Sequence, residues 1–137
     1  MTKPKKEAKR WFDQGRRDAE SAAKVKEQGI NELCCFLAQQ AAEKLLKAFL
    51  YSQGEAPVVG HSTFYLAKRC QEYDARFKKI LQSCKRLDAL YIPTRYPNGL
   101  IEGVPYEVFD ANDAEQALHD LGAVRSVVEE LLRNLGS

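Results

Sequence analysis

The chain has 137 residues, 29% charged and 45% hydrophobic, with a formal net charge of +2. That is the length and composition of one soluble globular domain with a single core. No run of about 18 apolar residues offers a membrane span, and the basic start (Met1 to Lys6) leads into polar sequence instead of a signal-peptide core, so a cytoplasmic protein is expected.

A first helix is predicted from about Lys5 to Gln28. Ala8, Trp11, Phe12, Gly15, Ala19, Ala22 and Ala23 recur at spacings of three and four, one apolar stripe with small residues for close helix approach. Gly29 suits the position after a helix, and Asn31 suits the N-cap of the next. That second helix spans roughly Glu32 to Ser52, burying Leu33, Phe36, Leu37, Ala41, Leu45, Ala48 and Phe49. It contains Gln39-Gln40-Ala41-Ala42-Glu43-Lys44-Leu45-Leu46-Lys47-Ala48, which has no Gly, Pro or β-branched residue yet sets amides, a carboxylate and lysines among apolar neighbours. Such a pattern makes either a hydrogen-bonded polar layer or the floor of a binding site. Gly54 and Pro57 close the helix. Gly60-His61-Ser62 opens a short third helix ending near Tyr73, and Asp74 begins a fourth whose apolar residues run from Phe77 to Tyr91.

Between Ile92 and Phe109 the periodicity stops. Pro93, Pro97, Gly99, Gly103 and Pro105 mark a long loop rich in tyrosine, a kind of segment that carries function more often than average. A last helix follows from about Ala111 to Leu135, with Asp110 as N-cap, acids in its first turns and Gly136 at its end. The fold class is therefore all-α: an up-and-down bundle of four long helices and one short helix, with the long Pro/Gly-rich loop before the last helix. It is a single domain with a core from about Ala8 to Leu132.

Charge is distributed unevenly. From Lys68 to Arg86 seven basic residues face two acids, and from Asn98 onward eight acids face two arginines. This fits pairing between neighbouring helices, or a basic patch that attracts phosphate or nucleic acid, although Tyr73 and Phe77 within it are expected to face the core. Cys34, Cys35, Cys70 and Cys84 have no framework or zinc spacing and read as reduced, partly buried thiols. Neither a phosphate-binding Gly-rich loop nor a dinucleotide fingerprint occurs, so no metal and no cofactor is expected.

Taken in order, Arg10-Trp11, Asp18-Ala19, Cys35-Phe36, the Gln39–Ala48 stretch, Gly60-His61 and Thr94-Arg95-Tyr96-Pro97 resemble the HEPN family (higher eukaryotes and prokaryotes nucleotide-binding domain) from about Ala8 to Leu132. The resemblance implies a helical bundle, usually a homodimer. Many members are encoded beside a small nucleotidyltransferase, and some such pairs act as toxin and antitoxin. One branch consists of metal-independent ribonucleases with Arg, four to six residues, then His on one helix. Here Gly54, Glu55 and Ala56 precede His61 at that spacing, and Asn112, Asp113 and Ala114 precede His119, so the ribonuclease motif is absent. The Thr-Arg-Tyr-Pro branch looks like a non-catalytic nucleotide- or partner-binding module.

The candidate ligand-binding residues are Arg95, Tyr96, Lys44, Lys47, His61 and Gln40. Arg95 has a planar fork suited to phosphate, held on a Pro-flanked loop; the competing role is a salt bridge that pins the loop. Tyr96 can stack a base. Lys44 and Lys47 share a helix face with Gln40, where they add positive charge or, for Lys47, pair with Glu43 four residues earlier. His61 either titrates beside a phosphate or caps its helix. His119 reads as a solvated or paired histidine in the acidic helix. The expected function is a homodimeric module for a nucleotide or other phosphate ligand. Alternatives are an interaction subunit of a nucleotidyltransferase pair, or a ribonuclease with a displaced motif that would contact RNA.

Overall fold

From Ala38 to Tyr51 only Gln40 and Lys44 escape full burial, and this run of buried side chains organises the molecule. The computed structural model describes residues 2–136. Its elements in order are α1 (Lys3–Glu27), α2 (Asn31–Ser52), α3 (Thr63–Gln71), a 3-10 segment (Ala75–Ile80), α4 (Leu81–Asp88), a 3-10 turn (Pro97–Gly99), α5 (Pro105–Val108), α6 (Ala111–Leu131) and a final 3-10 segment (Arg133–Gly136). The protein is all-helical, as the periodicity predicts. α1 lies along α2, α6 packs on α2 and α1, and α3 and α4 close the remaining side, with α4 also touching α6. A helix buried on nearly every side belongs at the centre of such a bundle.

The α1–α2 contact is close because Gly15 faces Leu45. A Cβ at Gly15 would stand 3.0 Å from Leu45 Cδ2 and 3.2 Å from the Leu45 backbone nitrogen. Ala8, Phe12, Ala19 and Ala22 complete the buried stripe of α1, while Ala23 is exposed and Asp18 takes its place in the interface. Leu33, expected in the core, is 37% exposed at the outer end of α2.

Helix ends follow local chemistry. Gly29 has φ +77°, its N–H donates to the Lys26 carbonyl, and the Ile30 N–H donates to the Val25 carbonyl. These two bonds close α1 in the Schellman pattern, which needs the left-handed conformation that glycine adopts without strain. The chain then enters α2 directly, so Asn31 lies inside the helix and Ile30 is the N-cap, with no side-chain cap bond. Asp110 does cap α6, in a reciprocal box with Asp113. The fourth predicted helix is split: Asp74 caps a 3-10 segment, and regular α-helix begins only at Leu81. The last helix leaves α geometry after Leu131, which puts Gly136 in a 3-10 turn instead of a helix-end position. Within the long loop, Pro97 and Pro105 each start a short helical turn, where a missing N–H costs nothing.

All four cysteines are free and buried. Burial pushes the Cys34 thiol up to about 11 and those of Cys35 and Cys84 up to about 12, and Cys70 is raised as well. They act as small apolar side chains of the core. Among the described residues, no helix is long and apolar enough to cross a membrane.

Candidate functional site

Four-residue spacing along α2 stacks Gln39, Glu43 and Lys47 on one face, and all three are buried. Glu43 is the hub. Its carboxylate accepts from Lys47 Nζ at 3.0 Å, Gln39 Nε2 at 3.4 Å and His61 Nδ1 at 3.2 Å. Gln39 also donates to the His61 backbone carbonyl at 3.0 Å and accepts from Gln40 Nε2 at 2.8 Å. Beyond Glu43, the Lys47 ammonium lies 5.2 Å from the Trp11 ring centroid. Among the described residues no buried side-chain nitrogen or oxygen lacks a partner. Gln40 therefore belongs to a satisfied polar layer, and the charge of Lys47 is offset inside it.

Lys44 points the other way. Its Nζ lies 2.5 Å from Asp18 Oδ2 on α1, and Asp18 also accepts from Gln14. Neither lysine is brought to Arg95 as a free cation.

His61 is the outward end of the layer, its side chain 60% exposed. A carboxylate only accepts, so Nδ1 carries the hydrogen facing Glu43 and Nε2 is left toward solvent. The imidazole stacks on Tyr91, with centroids 4.9 Å apart and planes 16° from parallel. His61 does not cap α3. Ser62 does that, its Oγ accepting from the Tyr65 N–H at 3.1 Å. Asp88, at the end of α4, strengthens the cap by accepting from Ser62 Oγ, the Thr63 N–H and hydroxyl, and the Phe64 N–H.

Tyr91 is shared with Arg95. The Arg95 guanidinium carbon lies 4.7 Å from the Tyr91 centroid, 4.6 Å from Phe36 and 5.0 Å from Tyr96. Its Nε donates to the Tyr91 carbonyl at 2.9 Å. Among the described residues no carboxylate pairs with it, so aromatic faces hold the charge in place of the salt bridge weighed from sequence. The loop is fixed beneath it: buried Thr94 donates to the Leu90 carbonyl at 2.6 Å, and the Arg95 N–H to that of Ile92. The arrangement is a half-buried guanidinium with its terminal nitrogens unengaged by the described residues, flanked by an exposed tyrosine and sharing Tyr91 with a histidine.

Of the six candidates, Arg95 and His61 each contact Tyr91 and Arg95 also contacts Tyr96, while Lys44, Lys47 and Gln40 are engaged in the contacts of α2 described above. Sequence reasoning missed Phe36 and Tyr91 as cage walls and Asp88 as the carboxylate that reinforces the Ser62 cap of α3. The tyrosine just before the loop was the available signal for the cage. His119 is exposed and 3.7 Å from Asp120, as its place in the acidic helix suggested.

The charge asymmetry resolves into pairs for the arginines. Arg86 bridges to Asp120, Arg76 to Asp74 and Glu130, and Arg69 to Glu55. Tyr73, expected in the core, is 47% exposed because its hydroxyl bonds Glu55 at the surface, whereas Phe77 is fully buried.

Comparison with known proteins adds relatives. Residues 8–131 match the family model described as HEPN domain. Among solved structures, the chain is similar to TT1696 from Thermus thermophilus, with 32% identity over 90% of this chain and 96% of that one and a TM-score of 0.85. It is also similar to ST0689, an archaeal HEPN homologue, with 36% identity, 91% and 97% coverage and a TM-score of 0.75. No curated protein matches.

Proposed function

The chain belongs to the HEPN domain family, and from that premise we propose that it is a non-catalytic member that binds a nucleotide or another phosphate-bearing ligand at Arg95, Tyr96 and His61. One observation carries this reading: a guanidinium held in place by Phe36, Tyr91 and Tyr96, with no carboxylate among the described residues taking up its terminal nitrogens. A planar fork prepositioned in this way grips phosphate oxygens in pairs. Tyr96, half exposed, offers a ring for a base, and the His61 Nε2 offers a further polar contact.

Isothermal titration calorimetry with ATP, GTP and their diphosphates tests it. Saturable binding that weakens by about tenfold or more in Arg95→Ala is the expected result. Unchanged affinity in that variant, or no heat with any of the four, removes the proposal.

A homodimer is the second part of the reading. Ile92, Ile101, Tyr106 and Val108 are all exposed within the long loop, Ile101 and Tyr106 at 108% and 71%. An apolar surface of this kind is normally covered, and a copy of the same chain covers it through a two-fold contact. Light scattering is expected to give twice the 15.5 kDa chain mass, falling to a monomer in Ile101→Asp. A monomer at micromolar concentration contradicts the dimer and favours a different protein on the same loop, as in an interaction subunit of a nucleotidyltransferase-type pair.

A further inference from the structure

We propose that the face formed by Phe64, Tyr65 and Lys68 of α3 with Lys85 of α4 binds single-stranded nucleic acid, by stacking a base on Tyr65 and placing backbone phosphates on the two lysines. The surface is distinct from the Arg95 cage and does not depend on the reading given to it. Lys68 Nζ lies 5.4 Å from the Phe64 centroid and Lys85 Nζ 5.0 Å from the same ring. Two ammonium groups thus converge on one half-buried phenyl ring, and neither has a carboxylate partner among the described residues. In the same basic segment Arg69, Arg76 and Arg86 are all paired with acids. The unpaired charge that remains is on lysines, including the exposed Lys78 and Lys79 of the 3-10 segment that packs on α3.

Tyr65 supplies what a plain anion site lacks. It is 66% exposed, stands edge-on to Phe64 at 5.3 Å between centroids, and has Lys68 Nζ 5.9 Å from its own ring. Phe64 braces the ring from one side while the rest is open. An exposed, braced aromatic beside unpaired cations is the combination that grips unstacked bases and their backbone irrespective of sequence. An acidic protein segment would use the lysines and leave the tyrosine idle, and a duplex would hide its base faces. Those features favour a single strand.

The test is fluorescence anisotropy with a short labelled single-stranded RNA at about 50 mM salt. Saturable binding is expected, with log K falling against log salt at a slope of about −1.4 for two phosphates. Tyr65→Ala should weaken it by about tenfold and Tyr65→Phe should restore it. The Lys68→Gln/Lys85→Gln double variant should flatten the salt dependence. All three sites lie on the surface, and unchanged thermal melting confirms that each variant is folded. Absence of binding overturns the proposal. So does a Tyr65→Ala variant that binds as tightly as the parent, or a polyglutamate peptide that competes equally at equal charge.

Discussion

Glu43→Ala is expected to lower the unfolding free energy by about 3–5 kcal/mol, the usual cost of breaking a buried ion pair from one side. The reason is what stays behind. Lys47 is 5% exposed, and its ammonium has Glu43 and the face of Trp11 as partners. Without the carboxylate a buried cation has only a ring to face, Gln39 loses one acceptor, and the His61 Nδ1 loses its anchor. Urea denaturation measures the loss as a lower midpoint at unchanged slope. The informative control is Glu43→Leu with Lys47→Met. Removing both charges together replaces the pair with apolar volume, and such replacements are often neutral or stabilising by about 1–4 kcal/mol. A single variant that melts like the parent would mean that water reaches Lys47 easily.

Asp88→Ala should cost about 2–4 kcal/mol, more than an ordinary capping residue, because one carboxylate serves several donors. Its two oxygens accept from Ser62 Oγ at 2.6 Å, the Thr63 N–H at 2.6 Å, the Thr63 hydroxyl at 2.7 Å and the Phe64 N–H at 3.3 Å. The Thr63 hydroxyl keeps the Cys84 carbonyl as a second acceptor, but the two backbone N–H groups do not. Asp88→Asn retains one acceptor oxygen and should recover roughly half the loss. The same measurement reads both variants, and equal stability of Asp88→Ala and the parent would show that Ser62 alone holds the start of α3.

The parts of this fold that could be read in advance are those governed by neighbours in the chain. The apolar stripe of α1, the turn at Gly29 and the Asp110 cap are set within a few residues, and each is where the pattern puts it except that Ala23 of the stripe is exposed. Boundaries moved where packing overrode local preference. Asn31 is a good cap residue, but the Schellman turn runs straight into α2 and leaves no room for a separate cap. Arg95 was legible as a candidate because a Pro-flanked arginine in a long loop is unusual. The fate of Lys44 was not, since its partner Asp18 lies 26 residues away. Nor was that of Asp88, which acts on a helix start 25 residues earlier. Periodicity reports which face of a helix is apolar; it is silent on which distant acid meets which base.

The buried column Gln39–Glu43–Lys47 also bears on how many ways α2 can settle. The alanines and leucines around the rest of this helix carry no side-chain hydrogen bonds to oppose a slide of one turn, about 5.4 Å, along the bundle axis. Such a slide would carry Glu43 away from His61, Gln39 away from the His61 carbonyl, and Lys47 away from Trp11. Every slipped arrangement would strand polar groups in a dry interior, so the column acts as a key that fits its lock at a single depth. Register, more than extra strength, is what these three polar side chains contribute. The His61 imidazole, and with it the ring of Tyr91, inherits its position from that setting.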